Sequence, residues 1–201
     1  MVIEDDAALF ARARALAGAG GRRILGIAGP PGGGKSTAAR AVVAALGDAA
    51  RLVPMDGFHL AQAELVRLGR RDRMGAPDTF DAAGYAALLT RLRGTEPVVY
   101  APEFRREIEE PIAGAIAVPR EVALVVTEGN YLLLWPEVKP LLDEAWYVET
   151  DEELRVQRLI QRHIQFGKTP EYARAWVERS DERNAALVAT TAGAADVLVR
   201  L

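Results

Sequence analysis

The sequence predicts an α/β fold of three layers, in which helices cover both faces of a mostly parallel β-sheet. Short apolar segments alternate with helix-compatible segments along the chain, and this alternation is typical of parallel sheets. The segment 122–127 is apolar up to its last residue, a threonine, as expected for a strand buried on both faces. A chain of 201 residues matches one compact domain, or one domain with a small inserted lid.

The elements of the first half are predicted from their local boundaries. Acidic residues favour a helix start near Asp5, and the glycines from Gly18 onward end that helix. Gly47 ends the second helix, and Asp81 caps a later one. The predicted elements are helix 4–17, strand 24–28, helix 35–46, strand 51–55, helix 61–68, loop 69–79 and a helix from Asp81 to Leu92.

The second half continues the same alternation. Three prolines and a charged run favour an irregular segment over 102–120. Gly167 and Pro170 separate two helices near the carboxyl end. The predicted elements are strand 98–100, strand 122–127, strand 145–148, helices 151–166 and 171–188, and a last strand over 195–199.

Composition excludes several classes of protein. The 25 basic and 28 acidic residues give a net charge of −3, which argues against nucleic acid as the main partner. The absence of cysteine excludes a disulfide framework and a thiolate metal site. No apolar run approaches the roughly 18 residues of a membrane span, and the acidic start lacks the basic region of a signal peptide. We therefore expect a cytoplasmic domain with no membrane partner. The oligomeric state stays open, with a homodimer as one candidate.

The segment 29–36 carries the strongest functional signal. It matches the phosphate-loop pattern G-x-x-x-x-G-K-[ST] between a predicted strand and a predicted helix. Pro30 and Pro31 have no N–H to donate, so the phosphate cradle begins at Gly32 and continues into the helix N-terminus. The predicted nucleotide-binding residues are Gly32, Gly33, Gly34, Lys35, Ser36 and Thr37. This loop predicts the P-loop NTPase fold with ATP and Mg²⁺ as cofactors.

Two carboxylates follow predicted strands of the same sheet. Asp56 comes after the second strand and Glu128 after the apolar strand at 122–127. Ligands of parallel sheets bind beyond the carboxyl ends of the strands. We expect Asp56 to orient an acceptor hydroxyl and accept its proton, and Glu128 to hold Mg²⁺ together with Ser36. A turn or cap role is the competing interpretation of each carboxylate.

Three segments resemble a known family of kinases. Met55-Asp56-Gly57-Phe58-His59, Pro77-Asp78-Thr79-Phe80-Asp81 and Thr127-Glu128-Gly129 are similar to segments of the pantothenate kinase, uridine kinase and phosphoribulokinase group. Within it, the chain looks most like a bacterial subgroup labelled as kinases of a fructose transport system. The resemblance implies one P-loop kinase domain over 1–201 with a small helical lid at roughly 155–170.

The resemblance also implies further site residues. Arg158 and Arg162 lie on one face of the lid helix and would close over the phosphates, with Lys35, Asp56 and Arg162 as the catalytic set. Lys168 is a candidate second cation. The acceptor would lie between segments 56–81 and 100–120, against Asp56, Phe58, His59, Phe80, Tyr100, Arg105, Arg106 and Tyr131. The competing interpretations are that the aromatic residues belong to the core and that the arginines pair with nearby glutamates.

The predicted function is ATP- and Mg²⁺-dependent phosphorylation of a hydroxyl group on a small metabolite, such as a sugar, a nucleoside or a pantothenate-like acid. The alternative is a regulatory GTPase or ATPase switch without such an acceptor. Asp72 to Gly75 matches the D-x-x-G spacing of switches, but no apolar strand precedes it and the chain has no Asn-Lys-x-Asp guanine motif. A transporter ATPase would need a Leu-Ser-Gly-Gly-Gln signature, and nothing in the chain resembles it.

Overall fold

The computed structural model describes residues 1–200, in which six parallel strands form one sheet between two layers of helices. The strands are β1 (Val2–Ile3), β2 (Arg23–Ala28), β3 (Ala50–Leu52), β4 (Val98–Arg105), β5 (Glu110–Pro119), β6 (Leu124–Gly129), β7 (Glu144–Glu149) and β8 (Val197–Arg200). The helices are α1 (Asp6–Ala17), α2 (Lys35–Leu46), α3 (Gln62–Arg67), α4 (Ala82–Leu92), α5 (Glu152–Gln165), α6 (Pro170–Trp176) and α7 (Glu182–Ala189). The sheet order is β1-β8-β7-β2-β6-β3, and β4 pairs with β5 as a separate antiparallel hairpin. The predicted three-layer fold is confirmed.

Strand β2 lies inside the sheet, where it pairs with β6 on one side and β7 on the other. Its side chains alternate between two buried clusters, with Ile24 and Ala28 in one and Leu25 and Ile27 in the other. Helices α1 and α2 pack on the second cluster, and α4 packs on the first. Because every strand of the six-stranded sheet is parallel, the carboxyl ends of β2, β6 and β3 meet at one edge.

Several element boundaries agree with the sequence. Helix α2 spans Lys35–Leu46 as predicted. Asp81 caps α4, since its Oδ1 accepts a hydrogen bond from the Gly84 N–H at 2.8 Å. Within residues 1–200, no helix has both the length and the apolar character needed to cross a membrane.

The prediction of an irregular segment over 102–120 is wrong. This region forms most of the β4–β5 hairpin, which shifts its register between Ala101 and Glu103. Both strands of a two-stranded ribbon are edge strands, and edge strands and bulges are where proline is tolerated. The prolines that suggested a loop are therefore compatible with this hairpin.

Two further boundaries differ from the prediction. Strand β3 ends at Leu52, and Met55–Phe58 forms a 3₁₀ turn instead of finishing the strand. The helix predicted over 171–188 is interrupted by a π-helical turn at Val177–Asp181. A π turn inserts one residue into the helix and changes the direction of the side chains around it. Here the turn lies beside the cavity described next.

Candidate active site

The loop between β2 and α2 packs against α5, the helix that the sequence assigns to a lid. Gly32 has a φ of +74°, and a Cβ there would lie 2.7 Å from Leu159 Cγ and 2.8 Å from the Arg155 carbonyl oxygen. Only glycine fits this position without displacing α5. At the end of the loop, the Lys35 ammonium donates a hydrogen bond to the Pro30 carbonyl at 2.8 Å.

Lys35 is almost completely buried, with 7% of its surface exposed. Burial lowers its pKa to about 8, although the carboxylates of Glu128 and Asp56 act in the opposite direction. The ammonium is therefore a desolvated charge beside a cradle of backbone N–H groups. Such a charge is well suited to bind a phosphate group.

Ser36 and Glu128 form a pair of oxygen ligands beside the loop. The Ser36 hydroxyl donates to Glu128 Oε1 at 2.9 Å. Glu128 is opposite Ile27 in the β2–β6 register, which holds its carboxylate next to the phosphate loop. Burial raises the pKa of Glu128, and the nearby Asp56 carboxylate raises it further. Mg²⁺ prefers hard oxygen ligands and usually takes one or two from the protein, so these two residues fit that ion.

Asp56 lies on the 3₁₀ turn after β3, the strand next to β6. Its Oδ2 accepts a hydrogen bond from Arg106 Nη2 at 2.8 Å. Burial acts to raise the pKa of Asp56, but two groups outweigh it and lower that pKa below its ordinary value: the His59 ring, while it is protonated, and the Arg106 guanidinium. The site thus contains two carboxylates with opposite pKa shifts, of which Asp56 is the readily ionised one. Opposite shifts are typical of acid–base assignments in active sites.

His59 is held between two phenylalanine rings, with its ring centroid 4.0 Å from that of Phe80 and 4.5 Å from that of Phe104. Its Nδ1 lies 2.8 Å from the Asp56 carbonyl oxygen. Burial lowers the pKa of His59 despite the adjacent Asp56 carboxylate. A neutral imidazole that donates from Nδ1 keeps Nε2 as a hydrogen-bond acceptor, which suits the recognition of a hydroxyl group.

One cavity of about 570 Å³ brings most of the predicted residues together. Those that line it are Gly32, Lys35, Ser36, Asp56, His59, Phe80, Arg106, Glu128 and Arg162. Burial lowers the pKa of Arg162, and the positive charge of Arg106 lowers it further. Both guanidinium groups line the same cavity, where a bound anion would offset their mutual repulsion.

Other predicted residues lie outside the lining of this cavity. Phe58 packs on Tyr85 at a centroid distance of 5.2 Å, and the buried Tyr131 donates to the Gly75 carbonyl at 2.5 Å. Tyr100 and Arg105 are exposed on the hairpin. The alternation of side chains along β4 gives Arg105 the opposite direction from Phe104, which lines the cavity.

Arg158 reaches the phosphate loop from the exposed side of α5. Its Nη1 lies 3.9 Å from the position that a Cβ would take on Gly34. Its neighbour Arg155 is instead buried and donates to Glu182 Oε1 at 2.6 Å. On this face of α5, Arg155 therefore anchors the helix to Glu182, whereas Arg158 can approach phosphates bound at the loop.

Sequence reasoning missed a cluster contributed by the lid and the π turn. His163 Nε2 lies 2.9 Å from Asp181 Oδ2, and Lys168 Nζ lies 3.3 Å from His163 Nδ1. Lys168 Nζ also lies 4.3 Å from the ring centroid of Trp176. All four residues line the cavity. The sequence indicated Lys168 as a candidate cation because it follows Gly167. It did not indicate Asp181, because the helix predicted over 171–188 has no break there.

Several known proteins are similar to this chain in sequence or in fold. No protein-family model matches the chain. An ATP-dependent kinase-like protein of Aspergillus versicolor is 35% identical over 133 residues, covering 60% of this chain and 77% of the relative. A Schizosaccharomyces pombe protein with the provisional name of uridine kinase is 30% identical over 195 residues, covering 89% and 83% of the two chains. A pantothenate kinase of Limosilactobacillus reuteri is 31% identical over 149 residues, covering 69% of this chain and 48% of its own length.

A solved structure extends the likeness to the whole fold. It is a kinase from Silicibacter that is provisionally assigned to a fructose transport system. It matches with a TM-score of 0.85 and 33% identity, over 94% of this chain and 98% of its own. Together, the fold, the phosphate loop and these relatives define the class of protein. The chain belongs to the P-loop kinases of the pantothenate kinase and uridine kinase group.

Proposed function

We propose that this P-loop kinase transfers the terminal phosphoryl group of ATP to a hydroxyl group of a small metabolite. The observation that carries the proposal is the convergence of Lys35, the Ser36–Glu128 pair and Asp56 on one cavity. Its volume of about 570 Å³ lies in the range of small-molecule sites.

In this proposal the phosphate loop and Lys35 bind the β- and γ-phosphates, and Arg158 and Arg162 approach them from the lid. Bound Mg²⁺ would be held by Ser36 and Glu128, and it supplies charge neutralisation on the phosphate oxygens. The nucleoside would lie in a second cavity of about 950 Å³, which adjoins the loop at Pro30 and is lined by alanines of α7.

Asp56 would orient the acceptor hydroxyl. The hydroxyl oxygen forms a bond to the γ-phosphorus while the bond from that phosphorus to the β–γ bridging oxygen breaks. ADP leaves, and the hydroxyl proton goes to Asp56 and then to solvent. Because the transition state is loose, positioning and electrostatic stabilisation supply most of the rate. The lowered pKa of Asp56 fits a group that must be ionised when the acceptor arrives.

The test is acceptor-dependent release of ADP from Mg·ATP across a panel of nucleosides, pantothenate, ketohexoses and pentoses. We expect release that needs an acceptor and that disappears in Lys35→Ala. Hydrolysis that no acceptor stimulates, together with a preference for GTP, would instead favour the nucleotide switch.

A further inference from the structure

The carboxylate that we assign to the acceptor hydroxyl is already paired. Arg106 extends from the end of β4 and donates from Nη2 to Asp56 Oδ2 at 2.8 Å. Both side chains are partly accessible, with 41% and 28% of their surfaces exposed. The pair therefore lies at the cavity surface, where an incoming molecule can reach both partners.

This pairing distinguishes between two classes of acceptor. A neutral polyol or nucleoside offers the Arg106 guanidinium only hydroxyl or carbonyl oxygens in exchange for a carboxylate. A carboxylate or phosphate group on the acceptor offers a charged partner that can accept two hydrogen bonds from the guanidinium. An anionic acceptor can therefore draw Arg106 away from Asp56 without leaving the guanidinium unpaired.

Two more cations line the same cavity, Lys168 from the predicted lid and Arg179 from the π turn. Within residues 1–200, neither Lys168 nor Arg179 has a carboxylate oxygen within 4.0 Å of its charged nitrogens. Lys168 Nζ lies 4.3 Å from the Trp176 ring centroid, and Arg179 Cζ lies 5.3 Å from the same centroid. The Trp176 ring attracts both cations by cation–π interaction. Because this interaction does not neutralise them, their positive charge remains available to a ligand.

Carboxylates also line the cavity, namely those of Asp72, Glu109 and Asp181. The Asp181 carboxylate lies 2.9 Å from His163 Nε2, so its oxygens are partly engaged. These carboxylates would repel the anionic group of an acceptor wherever it lies away from the cations. They restrict a bound anion to the neighbourhood of the cations, and such restriction gives a site its selectivity.

We propose that the acceptor is a hydroxylated metabolite bearing a carboxylate or a phosphate group, and that Arg106 selects it by exchanging Asp56 for that anion. This inference rests on the kinase function proposed above. It makes Arg106 a specificity-determining residue, and Lys168 and Arg179 add positive charge to the same cavity.

The experiment compares acceptors in pairs that differ in charge. Suitable pairs are pantothenate with panthenol, glycerate with glycerol, and pentose 5-phosphates with free pentoses, each with Mg·ATP. We expect kcat/KM for the charged member of a pair to be at least about tenfold higher than for its neutral partner. A factor of about ten is what one hydrogen bond to a charged group typically contributes. A preference for pantothenate or glycerate would indicate recognition of a carboxylate, and a preference for a pentose 5-phosphate would indicate recognition of a phosphate.

Arg106→Gln is expected to lower kcat/KM for the charged acceptor at least about tenfold and to remove most of the discrimination within each pair. Arg105→Gln is the matched control, because Arg105 is the adjacent arginine on the same hairpin and does not line the cavity. We expect it to behave like wild type.

Each outcome separates the two proposals. A neutral acceptor that reacts as fast as its charged partner, or discrimination that survives Arg106→Gln, overturns the inference and leaves the kinase function intact. Failure of Mg·ATP to bind overturns the kinase function itself. If Mg·ATP binds without turnover, melting temperatures decide: charged members must stabilise wild type more than Arg106→Gln, and equal stabilisation rejects the inference.

Discussion

At the residue scale, Lys35 combines a functional charge with an unfavourable environment. Its ammonium is almost completely buried and donates to a single backbone carbonyl, that of Pro30. The ordinary pKa of lysine is 10.5, and burial brings this one to about 8. That difference corresponds to a cost of about 3 kcal/mol for the charged form in the folded protein. Binding of phosphate would offset this cost, so the buried charge is retained for function at the expense of stability.

Lys35→Met should therefore make the nucleotide-free protein more stable by about 1–3 kcal/mol at pH 7 while abolishing phosphoryl transfer. Below pH 8 the lysine is protonated in both states and the cost is fully present. Between about pH 8 and 10.5 the folded protein loses the proton first, so the advantage of the variant shrinks as pH rises. Urea denaturation of both proteins across this pH range measures the difference.

Lys139→Met is the matched control, because Lys139 also donates to a backbone carbonyl, that of Ala194, but does not line the active-site cavity. We expect no gain in stability from it. A Lys35→Met protein that is less stable than wild type at pH 7 would contradict the assigned cost of the buried charge.

Asp56 is the residue whose loss should affect the chemical step most selectively. Asp56→Asn keeps the size of the side chain but removes the proton acceptor, and general-base contributions are typically about 10²–10⁴-fold. We expect kcat to fall within this range while the affinity for Mg·ATP changes little. Stopped assays of product formation and nucleotide titrations measure the two quantities, with the exposed Asp48→Asn as the control. Full activity with the true acceptor would show that Asp56 is not the base.

At the scale of elements, the β4–β5 hairpin and the turn that carries Asp56 are in direct backbone contact. A Cβ on Gly57 would lie 2.4 Å from the Pro102 carbonyl oxygen. The hairpin therefore approaches the turn as closely as a glycine allows, and the same approach brings Arg106 to Asp56.

Gly57→Ala should push the hairpin away from the turn. We expect a loss of stability of about 1–3 kcal/mol, the usual range for overpacking, and a larger decrease in acceptor kcat/KM than in affinity for ATP. Gly193→Ala is the control, because a Cβ there meets no atom within 4 Å. Denaturant unfolding and steady-state kinetics measure both effects. Equal losses with ATP and with the acceptor would indicate general unfolding instead of a displaced hairpin.

Some of these elements could be predicted from the sequence, and others could not. The phosphate loop could be predicted because its pattern is local and lies between a strand and a helix. Asp56 and Glu128 could be assigned to the same edge because the ends of parallel strands meet there. The choice of Arg106 over Arg105 depends on the direction of side chains along a hairpin that the sequence did not predict. Asp181 lines the cavity as the last residue of a π turn, and no periodicity in the sequence indicates that turn.

At the scale of the whole molecule, the nucleotide site joins parts that are distant along the chain. The phosphate loop contacts α5 through Gly32, and α5 contacts the start of α7 through the Arg155–Glu182 pair. Thr150, which follows β7, donates to the Gly33 carbonyl at 2.7 Å. A ligand that binds the loop is therefore expected to stabilise the sheet, the lid and α7 together.

Mg²⁺ with a non-hydrolysable ATP analogue should raise the melting temperature of the whole chain in one transition. At a concentration about 100-fold above the Kd, binding adds about 2.7 kcal/mol, which corresponds to about 5–10 °C for a domain of this size. Without Mg²⁺ the rise should be smaller, because the Ser36–Glu128 pair then has no cation to hold.

Ser36→Ala should lose the Mg²⁺-dependent part of the rise, whereas Thr90→Ala, which removes a hydroxyl on the outer side of α4, should keep it. Calorimetric scans with and without chelator measure these increments, and an increment that Ser36→Ala leaves unchanged would exclude Ser36 as a ligand of the metal.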